Sequence, residues 1–314
     1  MLLYYIMTFS FLGQGKDGVV VFPPIECEVD IEPTNFVGKI YYTKGKNSPS
    51  SVKSKIDALP DELDGLLYYK ENYLCEVVLP RDIPAFNRLS NKQLILKRVE
   101  GETLVDALHN YIVNNNGCGF FEVFKSAIET YYMIGNLAEK NVYYSDYSAS
   151  NIIYDSKNKR LMLIDLDDIS YDKPRGIPKS IVYNHKTKTY NPNYHIEGNL
   201  AYITWYNDFI KQIIRPILSA MFDGLSGKAD DWLIDENTNS GFLERKIAFE
   251  KFIGKPYEEL SHTDIDFIND NLETLRDEFC KTIGGSKKHK SRKNKTKKNK
   301  RRKIKQTKNK TKKK

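Results

Sequence analysis

The sequence predicts an α+β protein in which a small β-rich region is followed by a larger, mainly helical region and a basic tail. Runs of β-branched and aromatic residues occupy the first third of the chain, whereas apolar residues at helical spacing dominate later. Strands followed by helices are typical of an α+β protein. Residues 286–314 hold 18 Lys or Arg and no acid. We expect lobes at about 8–99 and 100–283, an extension or first strand at 1–7, and a tail at 284–314.

Four segments have the composition of strands. Tyr5–Leu12 and Val19–Phe22 flank the glycine-rich turn GQGKDG, which is a hairpin pattern. Phe36–Tyr42 predicts a third strand, and Gln93–Val99 predicts a buried one. The apolar start of the chain lacks a charged segment and a cleavage site, so we interpret it as the first strand rather than a signal peptide, with Met7 as an alternative start.

Two segments have helical spacing. Ser51–Glu71 carries leucines at three- and four-residue intervals, with Pro60 interpreted as lying near a helix start. Phe120–Glu139 predicts a long amphipathic helix. From Tyr202 onward the pattern is again helical, and no stretch is long and apolar enough to span a bilayer.

The net charge of +8 combines two opposite parts. Without residues 286–314 the chain has 31 basic and 41 acidic residues, which is a body near −10. The tail has one apolar residue, Ile304, so we expect it to be disordered. Such a tail can bind nucleic acid or another polyanion without sequence preference, or serve as a solubilising or nucleus-targeting segment.

Four cysteines, which are far apart in sequence, form no CxxC pair. This spacing argues against a zinc site and against a disulfide framework. It predicts a protein of a reducing compartment. The cysteines are Cys27, Cys75, Cys118 and Cys280.

The turn GQGKDGVV contains Gly13, Gly15 and Gly18, followed by Val20. Between two strands, this pattern indicates either an ordinary hairpin or a lid over nucleotide phosphates. Glycines let backbone N–H groups approach the phosphates without a side chain in the way.

Lys39 lies in the third predicted strand, after the glycine turn. Its side chain can face solvent, or it can bridge the α- and β-phosphates of a nucleotide. In the second case it needs a carboxylate to hold it. Glu62 is our preferred candidate, and Glu71 is the alternative.

The most informative polar residues lie between Asn141 and Ser170. Asp146 and Asn151 follow the long helix, and Asp165 ends a short hairpin fourteen residues after Asn151. Each residue alone is typical of a turn, but together they predict one group of oxygen-bearing side chains. Asp146 can accept the proton of an attacking hydroxyl, whereas Asn151 and Asp165 offer the oxygen ligands that Mg²⁺ prefers.

These segments resemble the protein kinase superfamily over roughly residues 8–280. GQGKDGVV is similar to the glycine loop, FVGK to the segment with the strand lysine, YSDYSASN to the catalytic loop and LMLIDLDD to the segment with the magnesium-binding Asp. QLILKRVEG resembles the hinge between lobes. The resemblance implies that Leu96 backs the adenine of ATP and that backbone groups of Lys97 and Val99 bond its edge.

Three departures from the family pattern bear on activity. YSD replaces HRD, so Ser145 stands where an Arg would read a phosphorylated loop. Ser148 replaces the Lys that steadies the γ-phosphate, and DLD replaces DFG. The chain thus resembles the divergent branch with choline, antibiotic and bacterial stress-response kinases. Its basic tail behind Gly-Gly resembles serine/threonine protein kinases of giant DNA viruses. That resemblance implies a location in the cytoplasm or nucleus of a host cell, or in a virion.

The sequence therefore predicts a two-lobed, kinase-like ATP- and Mg²⁺-dependent enzyme that phosphorylates a hydroxyl, with protein serine/threonine kinase as the first reading. Alternatives are a pseudokinase that binds a nucleotide or a partner, a small-molecule kinase, and a nucleic-acid-associated protein that acts through its tail. The sequence leaves open the acceptor and the oligomeric state.

Overall fold

An antiparallel sheet is followed by a helical region in the computed structural model of the protein. The structure describes residues 9–61, 66–79, 84–144, 146–171, 183–184, 189–190, 208–224 and 240–280. The predicted order of strands first and helices later is confirmed, and the architecture is mixed α+β. The predicted first strand lies partly, and the basic tail wholly, outside the described residues.

Five strands form the N-terminal sheet in the order β1-β2-β3-β5-β4, with every neighbouring pair antiparallel. The bounds of β3 agree with the prediction, and β2 begins one residue earlier than expected. The β4 strand was not predicted, because the expected helix extended to its edge. The strands are β1 (Ser10–Gln14), β2 (Gly18–Phe22), β3 (Phe36–Tyr42), β4 (Asn72–Glu76) and β5 (Leu89–Lys97).

The predicted helix Ser51–Glu71 is wrong in its length. Helix α1 covers Pro49–Asp57, begins after the Ser48 cap and buries Val52 and Ile56. Leu59 precedes a proline, which disfavours helical backbone at that residue, so Pro60 follows the helix instead of starting it. After residues 62–65, which lie outside the described part, one 3₁₀ turn leads into β4.

The helical region is built around α3, which confirms the predicted long helix and begins three residues earlier than expected. None of the described helices has the length and apolarity needed to cross a membrane. A π-helical turn at Ile210–Ile214 leads directly into α4. The helices are α2 (Leu104–Val113), α3 (Gly117–Glu139), α4 (Arg215–Asp223), α5 (Ser240–Ile253), α6 (His262–Asp270) and α7 (Leu272–Cys280).

The remaining described strands are short and form three small sheets. The order β6-β8-β9 makes a small antiparallel sheet, β7 pairs with β10, and β11 pairs with β12. Their bounds are β6 (Glu102–Thr103), β7 (Tyr143–Tyr144), β8 (Ile152–Asp155), β9 (Arg160–Leu163), β10 (Ile169–Ser170), β11 (Tyr183–Asn184) and β12 (Thr189–Tyr190).

One buried cluster joins the sheet to the helical region. Tyr41 of β3 and Leu94 of β5 belong to the same apolar cluster as Phe124 and Ile128 of α3. Each such fully buried side chain contributes about 1.5–3 kcal/mol to folding. A second cluster, which includes Val21 of β2, packs on the other face of the sheet. The face that carries Tyr41 is therefore the one that meets the helical region.

The expectation of unpaired cysteines is wrong. Cys27 is bonded to Cys75 within the N-terminal region, and Cys118 is bonded to Cys280 within the helical region. The partners are 48 and 162 residues apart, so only the tertiary fold brings them together. The argument from cysteine spacing for a reducing compartment no longer holds.

Candidate active site

Lys39 lies at the centre of the candidate site, where the sheet meets the helical region. Its Nζ is 2.5 Å from Oδ1 of Asp165 and 2.8 Å from Oδ2 of Asp167. Lys39 is 7% and Asp167 4% exposed, so the ion pair between these two residues is buried. Lys39 and Asp165 are separated by 126 residues in sequence. The fold thus brings Lys39, the predicted phosphate-binding cation, into contact with Asp165, a predicted metal ligand.

The sheet register explains why Lys39 points into the site. Lys39 lies opposite Val20 of β2 and Leu94 of β5. Opposed residues share a face of a sheet, and residues two apart on a strand also share it. Val20, Lys39 and Leu96 therefore lie on one face, together with Tyr41.

Asp167 has further polar partners. The Tyr41 hydroxyl donates to its Oδ1 at 2.7 Å, and Nζ of Lys55 on α1 donates to its backbone carbonyl at 2.6 Å. The carboxylate therefore accepts from Lys39 and Tyr41 at the same time. Buried charges are tolerated when they are paired and hydrogen-bonded in this way.

The charges of this cluster shift the pKa values of its members. Burial acts to lower the pKa of Lys39, but Asp167 and Asp165 outweigh it and hold this pKa above its ordinary value. Burial and the negative charge of Asp165 raise the pKa of Asp167, against the opposing effect of Lys39. Burial, with the adjacent Asp167, also raises the pKa of Tyr41. Lys39 is accordingly a cation, and Tyr41 a hydroxyl donor, at any ordinary pH.

Asp165 follows the β8–β9 hairpin in a left-handed backbone conformation, with φ 64° and ψ 68°. This conformation is uncommon for a residue other than glycine and occurs often at functional sites. The Asp165 side chain is 36% exposed. One carboxylate of the cluster thus reaches solvent, whereas that of Asp167 does not.

Asp146 and Asn151 form the more open half of the site. Nδ2 of Asn151 donates to Oδ2 of Asp146 at 2.8 Å. Burial raises the pKa of Asp146, and the charges of Asp168 and Asp165 raise it further. Asp146 therefore lies within electrostatic reach of Asp165. The Asp146 carboxylate also accepts from the backbone N–H of Ser148, which together with Asn151 acts to lower the pKa of Asp146.

The three glycines of the first turn are not equivalent. A Cβ on Gly18 would lie 2.2 Å from the carbonyl oxygen of Ile40, so β2 and β3 can approach each other only if residue 18 is glycine. A Cβ on Gly13 or Gly15 would meet no atom of the described residues within 4 Å. The requirement at Gly18 is thus one of sheet packing, and the space at Gly13 and Gly15 is open.

The proposed carboxylate partner of Lys39, Glu62, stays a prediction. Glu62 lies outside the described residues, and Glu71 instead contacts Lys97 at 2.7 Å. The carboxylates that hold Lys39 come from Asp165 and Asp167. Lys97 is the last residue of β5, and Val99 follows it half-buried; their adenine-binding role stays a prediction.

Sequence reasoning missed Asp167, Tyr41 and Lys55. The DLDD sequence contained a signal for Asp167, because residues two apart can both point into one site. Nothing in the sequence distinguishes the buried carboxylate from its exposed neighbours. The contributions of Tyr41 and Lys55 depend on how α1 and β3 pack against the turn at Asp167.

The side chains fit Mg²⁺ only in part. No group of three or more His, Cys, Asp or Glu residues within the described segments is arranged to hold a metal ion. Asp165 and the Asn151 carbonyl are nevertheless hard oxygen donors. Mg²⁺ is commonly bound by one or two carboxylates together with substrate phosphates, and not by a complete protein cage. This donor set therefore fits an ion that arrives with a nucleotide.

Comparison with known proteins does not identify a family or an activity for this chain. No protein-family model matches the chain, and no curated protein matches it. Among solved structures, the chain is similar to the crystal structure of the pseudokinase PEAK1 (Sugen kinase 269), with a TM-score of 0.34 and 15% identity. The match covers 52% of this chain and 43% of that one, so it spans less than half of that protein. At this level of similarity it carries no argument about activity.

Proposed function

We propose that the protein is a kinase-like phosphotransferase that moves the γ-phosphate of ATP to a hydroxyl. The observation that supports this best is the contact between Lys39 and Asp165 at 2.5 Å, beside the pair formed by Asp146 and Asn151. The sheet region supplies the cation, and the helical region supplies the three oxygen-bearing side chains. Phosphoryl transfer depends mainly on positioning and electrostatic stabilisation, for which this group is suited.

Each residue has a separate task in this proposal. Asp146 orients the acceptor hydroxyl and takes its proton on the carboxylate. Lys39 contacts the phosphates, and Asp167 keeps its ammonium in place when it leaves Asp165. Asn151 and Asp165 would hold Mg²⁺, which when bound supplies positive charge beside the phosphates. Gly13 and Gly15, which have no side chain, leave room for the phosphates beside the turn, while Val20 and Leu96 contact the adenine.

The acceptor that we propose is a serine or threonine hydroxyl of a protein, on the basis of the likeness between YSDYSASN and the catalytic loop of protein kinases. Ser148 stands in that loop in place of a lysine, and its hydroxyl lies 2.7 Å from that of Ser150. The absence of a cation at position 148 favours the pseudokinase alternative, in which ATP binds without transfer. A small-molecule acceptor is the other alternative.

The test is to incubate the full chain with γ-labelled ATP and Mg²⁺, first with a protein mixture and then with a pool of small hydroxyl compounds. We expect label on protein serine or threonine, identified by phosphoamino acid analysis, and none with Asp146→Asn. Label on a small compound would transfer the assignment to that class. Binding of ATP without transfer would identify a pseudokinase, and the absence of both would overturn the proposal.

A second function is supported by the charge of residues 286–314, which hold 18 Lys or Arg and no acid. We propose that this tail binds nucleic acid through phosphates. Deleting it should abolish the binding and leave phosphate transfer nearly unchanged. A scrambled tail of equal composition should retain the binding. The logarithm of the binding constant should fall linearly with the logarithm of the salt concentration. A deletion that destroys transfer would show instead that the tail belongs to the catalytic unit.

A further inference from the structure

Three tyrosine hydroxyls converge on the two carbonyl groups that precede Asp165. Tyr68 and Tyr69 both donate to the carbonyl of Leu163, the latter at 3.0 Å. Tyr144 donates to the carbonyl of Ile164 at 2.9 Å. The first two tyrosines belong to the turn before β4, and the third belongs to β7. Hydroxyls from both regions of the molecule thus meet on one short segment.

This segment is the point at which strand pairing stops. Leu163 is the last residue of β9 and pairs with Ile152. The backbone N–H of Ile164 still donates to the carbonyl of Asn151 at 2.8 Å, but the chain then turns into the left-handed conformation of Asp165. Outside a regular ladder, backbone carbonyls need other donors. The phenols supply them where Asp165 departs from the hairpin.

The three phenols are held in place by their surroundings. Tyr69 is 3% and Tyr144 1% exposed. The Tyr68 and Tyr69 rings are 4.2 Å apart between centroids, and the Tyr144 ring lies 5.3 Å from that of Tyr147. Burial raises the pKa of all three phenols, so that each stays a donor at ordinary pH. A packed ring gives its hydroxyl little freedom, which makes the bond to the carbonyl a positional constraint.

We propose that Tyr68, Tyr69 and Tyr144 are positioning residues, whose hydroxyls fix the backbone before Asp165 and thereby aim its carboxylate. This rests on the proposed function, in which Asp165 holds the metal ion of the nucleotide. Since Tyr68 and Tyr69 come from the sheet region, the same hydroxyls couple the direction of Asp165 to the placement of that region, which also carries Lys39.

The bonding pattern predicts unequal effects of removing single hydroxyls. The Leu163 carbonyl has two lone pairs and two phenol donors, so that either donor can replace the other. The Ile164 carbonyl accepts from Tyr144 alone among the three phenols. Tyr144→Phe should therefore have a large effect, Tyr68→Phe and Tyr69→Phe should each have a small effect, and the double variant should exceed the sum of its singles.

The experiment compares these Tyr→Phe variants of the full chain with Tyr154→Phe. Tyr154 is a matched control, because it is a buried phenol of the same hairpin whose hydroxyl interacts with Tyr111. Amide hydrogen exchange over residues 161–168 is the first measurement. We expect Tyr144→Phe and the Tyr68/Tyr69 double variant to speed exchange there by about five- to tenfold, as expected for one lost buried hydrogen bond.

The second measurement separates positioning from a purely structural role. We expect the Mg²⁺ concentration for half-maximal transfer, or for half-maximal binding of a fluorescent ATP analogue, to rise in the same variants, while metal-free affinity for the analogue stays constant. Faster exchange without a change in Mg²⁺ dependence would overturn the positioning role, as would exchange equal to that of Tyr154→Phe. If the wild-type chain neither binds nor transfers, the proposed function fails and, with it, the role of these residues in aiming a metal ligand. The exchange result then reports only on the backbone.

Discussion

The sheet region and the helical region are each cross-linked by a disulfide of their own, and the candidate site lies between them. One disulfide, Cys27–Cys75, ties the loop after β2 to β4. The other, Cys118–Cys280, ties the start of α3 to the end of the last described helix. Both bonds stay within their own region. The four cysteines are thereby used up, so no disulfide joins one region to the other.

The contacts between the two regions are hydrogen bonds and ion pairs in addition to the shared apolar cluster. They include the bonds from Lys39 to Asp165 and Asp167, and that from Lys55 to the backbone of Asp167. Such contacts can break and re-form, whereas disulfides cannot without a redox reaction. The comparison teaches that each region has its own covalent cross-link, whereas the two regions are joined to each other by the apolar cluster and by the polar groups of the candidate site.

The largest expected effect is on activity, at Asp165. Asp165→Ala removes a predicted metal ligand and one of the two carboxylates that contact Lys39. We expect transfer to fall to background, by about a thousandfold or more, because electrostatic stabilisation is commonly the largest contribution to such a reaction. The fold should remain intact, since Asp167 still holds Lys39 and the Asp165 side chain is 36% exposed.

Labelled-phosphate transfer and circular dichroism measure these two quantities on the same preparation. Glu76→Ala is the control, because this exposed carboxylate of β4 contacts Lys92 at 4.0 Å and has no role in the proposal. Retained transfer in Asp165→Ala would remove Asp165 from the mechanism, and Asp167 would become the candidate metal ligand.

The second prediction concerns removal of the two disulfides, one at a time. Loop-closure entropy gives a loss of about 4 kcal/mol for the 48-residue Cys27–Cys75 separation and about 5 kcal/mol for the 162-residue Cys118–Cys280 separation. Paired Cys→Ser variants should therefore lower the free energy of unfolding by amounts that differ by about 1 kcal/mol. Urea unfolding of the oxidised variants measures the difference, and dithiothreitol-treated wild type gives the joint effect.

Neither disulfide crosses between regions, so affinity for a fluorescent ATP analogue should be unchanged in both variants under conditions in which they are folded. A large loss of affinity in only one variant would show that this disulfide shapes the site. A Cys118/Cys280 variant as stable as wild type would show that the helical region needs no covalent closure.

The sequence was sufficient for elements whose residues act locally. The β3 strand was predicted to its ends, because FVGKIYY is rich in β-branched and aromatic residues and pairs on both sides. Helix α3 was predicted because its buried residues recur at helical spacing. The helix at α1 was extended too far, because the leucines after Pro60 have helical spacing while the proline ends the helix.

The sequence was not sufficient for pairings that the tertiary fold creates. The partner of Lys39 was sought on the next predicted helix, where Glu62 stays a prediction. The sequence did not indicate the contacts of Lys39 with Asp165 and Asp167, which come from far along the chain. The four cysteines failed as indicators for the same reason, since their spacing carries no information about which ones meet. Asp146, Asn151 and Asp165 could be grouped from sequence only because the turns that bring them together are short.

The third prediction compares a buried carboxylate between the regions with an exposed neighbour. Asp167→Asn leaves Lys39 and Tyr41 without a charged acceptor at this position, in a site where Asp167 is 4% exposed. Removing one partner of a buried ion pair typically costs about 3–5 kcal/mol. We expect a loss near the lower limit, about 3 kcal/mol, because Asp165 can still pair with Lys39.

The matched substitution Asp168→Asn should change the free energy of unfolding by less than about 0.5 kcal/mol, since its contact with Lys46 is an exposed ion pair. Urea unfolding of both variants provides the comparison. Equal losses would mean that burial of Asp167 does not add to the value of its ion pair, and that the contacts between the regions are no stronger than surface ones.

The smallest expected effect lies within the helical region, at the cap of helix α6. Asp264 accepts from the Ser261 backbone N–H at 2.7 Å and from Lys255 at 2.6 Å. Burial acts to raise the pKa of Asp264, but the bonds from Lys255 and Ser261 outweigh it and hold this pKa below its ordinary value.

A carboxylate with a lowered pKa in the folded state stabilises the fold above its unfolded pKa, and this contribution is lost as the pH falls through the folded value. Asp264→Asn should thus cost about 1 kcal/mol near neutral pH, as is typical for a lost cap. The difference from wild type should be constant above about pH 5 and should shrink below about pH 4. Urea unfolding at several pH values measures it, and Ser261→Ala is the control that removes the cap hydroxyl while keeping the carboxylate. A difference in the free energy of unfolding that grows in acid would contradict the sign of the pKa shift. A loss as large as that of Asp167→Asn would mean that the helix cap at Asp264 stabilises the fold as much as the buried ion pair at Asp167.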